Sequence, residues 1–171
     1  MNPKQLHFDS DGREKLLSGI TQIAKAVKST LGPRGNTVLI ESQEHTHGIT
    51  VTKDGVTVAK SIFLLDAVEN LAVRIMKEAA DKTATSAGDG TTTAIVLTEA
   101  LVKAGSELIT KNKTTVLRDL VSQTEDLCDK LKKKSTKVTQ KKLKDVATIS
   151  ANNDRELGTI ISDVYKQVGI N

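Results

Sequence analysis

Rings are nearly absent from this sequence. Its 171 residues include no Trp, one Tyr (Tyr165) and two Phe (Phe8 and Phe63), so aromatics make up 2% of the chain. A core without rings must be filled by Ala, Val, Leu and Ile. That suits packed helices better than a β-sandwich, whose strands lean on aromatic and β-branched side chains. The same scarcity counts against a reader of single-stranded nucleic acid, because such proteins stack bases on aromatic platforms. Cysteine occurs once, at Cys128, which excludes an internal disulfide and a cysteine-based zinc cage. A chain without such staples reads as intracellular. No stretch approaches ~18 consecutive apolar residues, and the opening nine residues have no apolar signal-peptide core. The expectation is a soluble, cytoplasmic protein with no membrane partner.

What is present suffices for a fold. Hydrophobic residues make up 37% and charged residues 27%, which supports a core and argues against disorder. The length suits one ordinary domain, or one with a small appendage. Twenty-five basic residues against 21 acidic ones leave a net charge of +4, a mild excess whose distribution matters more than its size.

Along the chain, Leu16, Leu17, Ile20, Ile23, Ala24, Val27 and Leu31 repeat at helical spacing. Asp9, Ser10 and Asp11 stand before them, and Asp11 with Glu14 has the form of a capping pair. Gly32-Pro33 must end that helix. Two β-like runs follow, 37–40 and 49–52, with a polar hairpin connection over 42–48. Lys53-Asp54-Gly55 reads as a turn and 56–62 as a third extended stretch. From Asp66 the period returns to helix, with Val68, Ala72, Ile75, Met76, Ala79 and Thr83 on one face, until 87–90 breaks it. A helix opens at Thr91 with Ala94, Ile95, Thr98, Leu101 and Val102 inward. Another begins after Lys113-Thr114, where Cys128 reads as a buried small hydrophobe on an apolar stripe. A last helix covers 154–168. Between 130 and 144 lie eight lysines and no aromatic, the one clear shift in composition and the candidate domain boundary.

Three glycine-bearing breaks carry the chemistry: Thr30-Leu31-Gly32-Pro33-Arg34-Gly35, Lys53-Asp54-Gly55, and Gly88-Asp89-Gly90-Thr91-Thr92-Thr93. The last is the sharpest. Free N–H groups at a helix start, glycines that allow close approach and three hydroxyls together make an anion site. Asp89 within it would repel a bare phosphate, but it makes sense where Mg²⁺ bridges carboxylate and phosphate. A metal–nucleotide is therefore the implied ligand. Taken alone, each break is equally a helix cap or turn, and for Lys53 and Asp54 the residues themselves say only "turn". Neither a P-loop string nor Gly-x-Gly-x-x-Gly occurs.

Phe8, Asp11 and Arg13, then Thr30 to Asn36, Ile49-Thr50, Thr52 to Ala59, Gly88 to Ala94, and Thr148-Ile149-Ser150-Ala151-Asn152 stand in the order and spacing of chaperonins. The chain resembles the group I branch, the bacterial sixty-kilodalton heat-shock family, over essentially its whole length. Arg34 replaces the lysine of the family's Leu-Gly-Pro-Lys-Gly string. The resemblance implies a mainly α fold: a multihelical bundle like the chaperonin equatorial domain, with a small antiparallel β element. It implies an equatorial ATP-binding part over 1–134 and the start of an intermediate domain over 135–171.

Its implied cofactors are ATP and Mg²⁺, with K⁺ as the monovalent cation. Thr30, Leu31, Gly32 and Pro33 would border the nucleotide. Lys53 would approach the terminal phosphate, and Asp54 would help position the attacking water or the monovalent cation. Asp89 would hold Mg²⁺. Gly90, Thr91, Thr92 and Thr93 would bind phosphate, and Ile149 and Ser150 would lie near the nucleotide. A complete subunit of the family is much longer. On the resemblance, this chain lacks the apical substrate-binding domain, the returning half of the equatorial domain and the family's catalytic aspartate.

The expected function is an ATP-dependent protein-folding subunit. Its partners would be other subunits in a ring, with unfolded clients and a co-chaperonin lid reached through the absent domains. The alternative is a truncated non-catalytic module that co-assembles with full-length subunits. A small basic nucleic-acid binder ranks below both. Without interleaved aromatics the lysine run reads as a solvated face, and His45 and His47, lacking a third ligand, as part of an exposed loop.

Overall fold

The computed structural model describes residues 6–32, 35–41, 48–108, 112–151 and 153–169. In chain order they form α1 (Asp9–Lys28), β1 (Val38–Glu41), β2 (Ile49–Thr52), α2 (Gly55–Ser61), α3 (Ala67–Ala87), α4 (Thr91–Leu108), α5 (Lys113–Lys134), α6 (Gln140–Ser150) and α7 (Arg155–Val168). Helices dominate, as the composition requires. They belong to two compact units, Met1–Lys113 and Thr114–Asn171.

In the first unit, α1, α2, α3 and α4 surround one small core. Ile23, Ala24 and Val27 from α1, Val58 and Ala59 from α2, Val73, Met76 and Ala80 from α3, and Ile95 from α4 are buried together. No ring takes part: Phe8 and Phe63 are both exposed. Small residues let the helices approach closely. At Gly19, a Cβ would run into the Glu69 carbonyl of α3. Polar contacts fix the same crossing, where Lys15 Nζ donates to Asp66 (2.8 Å), Ser18 to Glu69 (2.7 Å) and Gln22 to Glu69 (2.9 Å).

The two strands pair antiparallel, with Val38 opposite Thr52 and Glu41 opposite Ile49. Val38 and Ile40 turn inward onto the core while Leu39 and Glu41 face out, the period-2 pattern of a half-covered strand.

Several sequence expectations change. The 56–62 stretch is not extended: Gly55–Ser61 is helix α2. Its β-branched residues favour a strand, but Asp54 caps the N-terminus and Lys77 Nζ donates to the Lys60 and Ile62 carbonyls at the other end (2.8 and 2.6 Å). Burial lowers the Lys77 pKa. At α1 the capping pair does not form. Phe8 holds the cap position with no side-chain bond, and Asp11 instead pairs with His7 (2.9 Å). The buried stripe of α3 is Ala72, Val73, Met76 and Ala80, leaving Ile75 exposed. That of α4 is Thr91, Ile95 and Glu99, leaving Leu101 and Val102 exposed.

In the second unit, α6 and α7 pack where a Cβ on Gly158 would come within 2.6 Å of the Thr148 Cα. Asp154 caps α7 through the Glu156 and Leu157 N–H groups (2.9 and 3.0 Å), and Thr139 caps α6. The lysine-rich stretch thus contains most of the first turn and a half of α6, a helix the sequence reading passed over. Helix α5 buries none of its residues, so Cys128 is exposed rather than buried. Its apolar stripe lacks the cover that the periodicity implied.

Candidate nucleotide-phosphate site

Thr30 follows the end of α1. There the Ser29 and Thr30 hydroxyls donate back to the Ala26 and Val27 carbonyls (2.6 and 2.8 Å), which also accept the Ser29 and Thr30 N–H groups. Leu31 and Gly32 come next, both exposed, with Gly32 at φ +79°. Open space surrounds a Cβ position there, so the glycine serves the backbone conformation and not a tight contact. The Gly35 and Asn36 N–H groups donate to Gly32 and Ser29 carbonyls (2.9 and 2.7 Å), closing the turn. Pro33 and Arg34 lie outside the described residues, as do His45 and His47.

The second break joins β2 to α2. Asp54 N–H donates to Thr52 Oγ1 (3.0 Å), and the Asp54 carboxylate accepts from Val56 N–H (3.2 Å), Thr57 N–H (2.9 Å) and Thr57 Oγ1 (2.6 Å). Partial burial pushes this carboxyl up, but the hydrogen bonds from Thr57 and Val56 outweigh it and hold the pKa below its ordinary value. Lys53 precedes it on the exposed rim.

The third break is a left-handed link between α3 and α4. Gly88 ends α3 at φ +76°, Gly90 stands at φ +87°, and the exposed Asp89 between them accepts from Gly90 N–H (2.6 Å). Gly90 O receives the Ala94 N–H (2.8 Å), so α4 starts at once and the N–H groups of its first turn have no partner within the helix.

These three breaks meet at Gly55. A Cβ there would collide with Thr92 Oγ1 and stand 3.0 Å from Thr30 Oγ1. The turn after α1, the start of α2 and the start of α4 therefore line one place, with a bare backbone between two hydroxyls. That is a close approach only glycine permits. The Thr30 hydroxyl is already given to Val27, so the donors open to an anion are the first-turn N–H groups of α4, and Asp89 is a carboxylate of the kind that binds a hard cation. Among the described residues no three His, Cys, Asp or Glu cluster, and Mg²⁺ on a nucleotide commonly takes one or two carboxylates plus phosphate oxygens. Ile149 and Ser150 close α6 in the second unit, with Ile149 exposed.

A model of the TCP-1/cpn60 chaperonin family matches residues 23–169. The chain belongs to that family. Solved structures agree. The chaperonin gp146 of bacteriophage EL 2 (Pseudomonas aeruginosa), crystallised in the presence of ATP-BeFx, is 32% identical. Its crystal form II aligns over 95% of this chain with a TM-score of 0.81, and crystal form I over 92% with 0.82. A group III chaperonin in the open state aligns over 94% with a TM-score of 0.77, at 24% identity a likeness of fold alone. This chaperonin chain spans 29% of the phage protein's length in form II, 28% in form I, and 32% of the group III chain.

Proposed function

We propose that the chain is the nucleotide-binding part of an ATP-dependent protein-folding chaperonin subunit of the group I type, working in the cytoplasm. In this reading it binds Mg-ATP to drive conformational cycles of a subunit ring. The observation that carries the proposal is the close approach of Thr30, Gly55 and Thr92, which brings the three glycine-bearing breaks together, along with family membership. Residues 1–134 make the equatorial part, ending with α5, and 135–171 begin the intermediate part. Its partners in this reading are the other subunits of the ring, unfolded clients and a co-chaperonin lid.

Thr30, Leu31, Gly32 and Pro33 border the nucleotide. Gly90, Thr91, Thr92 and Thr93 offer N–H and hydroxyl donors to its phosphates, and Lys53 supplies a cation at the terminal phosphate. Asp89 holds Mg²⁺, which when bound offsets the negative charge of the phosphates. Asp54 suits orientation of a water or of K⁺ more than proton abstraction, because a carboxylate held below its ordinary pKa is a weak base. Ile149 and Ser150, which the resemblance also assigns to the nucleotide, lie in the second unit.

Phosphoryl transfer to water needs a phosphate cradle, a metal and a group that orients the water. In this reading the segments at 30–32 and 90–93 supply the first and Asp89 the second. Calorimetric titration of ATP, with Mg²⁺ and with chelator, tests the proposal on the longest natural form of the protein. Mg²⁺-dependent binding is expected; its absence there overturns the reading.

A further inference from the structure

Glu99 is a charged residue in the middle of a buried helix face. It follows Thr91 and Ile95 at four-residue steps on α4 and is only 4% exposed. One carboxylate oxygen accepts from Lys103 Nζ (2.7 Å), four residues on along the same helix, and the other accepts from Lys28 Nζ. Both lysines are half exposed. Burial pushes the Glu99 carboxyl up, but the two lysines outweigh it and keep the pKa below the ordinary value.

Packing alone does not call for a charge here, since a buried ion pair commonly gains little over a hydrophobic replacement of similar volume. What the charge adds is direction. The Lys103 contact stays within α4, whereas the Lys28 contact reaches another element. Lys28 is the last residue of α1, and its carbonyl accepts the Leu31 N–H (3.2 Å). Thr30, two residues on, packs against Gly55 beside Thr92. The first residue of the buried α4 stripe, Thr91, belongs to the phosphate-facing turn. One helix face thus carries the proposed site at its start and the tether to the opposing turn about 12 Å further along.

We infer that Glu99 is a positioning residue: through Lys28 it fixes the 29–32 turn against α4 and so sets Thr30 relative to Thr91–Thr93. The part of this concerning nucleotide rests on the function proposed above. Its lever is geometric. Displacements of about 1 Å at a binding constellation are enough to cost a large part of its effect.

Amide hydrogen exchange at Leu31, Gly35 and Asn36 in the nucleotide-free chain tests the tether directly. Glu99→Met and Lys28→Met are each expected to speed exchange there about tenfold, while Lys103→Met leaves it near wild type. The double variant Lys28→Met/Glu99→Met should be no worse than either single one, because the two residues act as a unit. Mg-ATP affinity, measured on the longest natural form, should fall about tenfold in the first two variants; the melting temperature should change little in Glu99→Met and fall in Lys28→Met, which leaves the buried carboxylate with Lys103 alone. Should Glu99→Met fail to fold, Glu99→Gln, which keeps volume and one acceptor, carries the same expectation. Unchanged exchange in Glu99→Met, or an equal effect of Lys103→Met, overturns the inference. Faster exchange in a protein whose wild type binds no Mg-ATP supports the tether and overturns the function instead.

Discussion

Gly55 lies so close to Thr92 that no Cβ can stand at position 55 without striking the threonine hydroxyl. Thr30 closes the other side at 3.0 Å. Gly55 is buried at the first position of α2, where a backbone N–H points out of the helix end, and the preceding Asp54 spends its carboxylate on the next two N–H groups. The crowding is thus part of a local arrangement in which backbone, not side chain, faces the two hydroxyls.

Gly55→Ala is expected to cost about 1–3 kcal/mol of stability, the range for a methyl forced into a filled place. Thr92→Ala removes the atom it would strike, so the double variant should recover part of the loss in urea unfolding. It should not recover nucleotide affinity, because a hydroxyl donor to a charged phosphate is worth about 1.5–3 kcal/mol. A Gly55→Ala protein as stable as wild type would mean the close approach does not exist.

Much of the helical framework was legible in the residues. Asp66 and Asp154 stand where caps belong, Gly88 stops α3, and the β-branched runs at 37–40 and 49–52 pair as a hairpin. The start of α4 was legible too, because glycine and three threonines stand before an apolar run at helical spacing. Helix α2 was not, because Val56, Thr57 and Val58 favour a strand locally. Only the cap by Asp54 and the packing of Val58 and Ala59 in the core override that preference. Lysines masked α6, whose apolar stripe is thin. Glu99 was invisible for a different reason. A charge at a core position makes sense only beside Lys28, 71 residues earlier in the chain. Likewise, spacing alone says nothing of Thr30 meeting Thr92. That association came from family resemblance, and its geometry from the fold.

Gly32 separates backbone conformation from contact. Its φ of +79° disfavours any side chain, yet open space surrounds it. Gly32→Ala should therefore cost roughly 1–2 kcal/mol through conformation alone, seen as a lower urea midpoint. Nucleotide affinity should fall further than that loss explains, because the same turn borders the proposed site. If stability and affinity fall in step, the glycine is a cap and nothing more.

Asp66 ties α3 to α1 while capping α3. Its hydrogen bond from Lys15, then those from Glu69 and Val68 N–H groups, bring the carboxyl to a pKa of about 2. The unfolded value is about 3.9. A depressed folded pKa means the stabilisation is whole above about pH 4 and is lost as pH falls through about 2. Asp66→Ala should lower the melting temperature at pH 7 by about 2–4 °C, and the gap from wild type should close as pH falls from 4 to 2. Asp66→Asn keeps the cap but not the ion pair, so its deficit should be smaller. A gap independent of pH would contradict the assignment.

Asp89 offers the most direct test of the site's chemistry. It is exposed, and among the described residues its one side-chain hydrogen bond is from the adjacent Gly90 N–H. Substitution should therefore leave stability within about 0.5 kcal/mol, as for a surface residue. If Asp89 holds Mg²⁺ on the phosphates, Asp89→Ala removes a metal whose charge stabilisation is worth several kcal/mol, so turnover by the longest natural form should drop ~10²-fold or more. The two readouts work together. An unchanged melting temperature excludes loss of fold as the cause of lost turnover, and a titration of Mg²⁺ separates weak metal binding from a dead site. Partial recovery at high Mg²⁺ is the expected signature of a missing ligand. Turnover that stays at the wild-type level in saturating Mg²⁺ would mean that the carboxylate between Gly88 and Gly90 serves the turn alone, and that another group holds the metal.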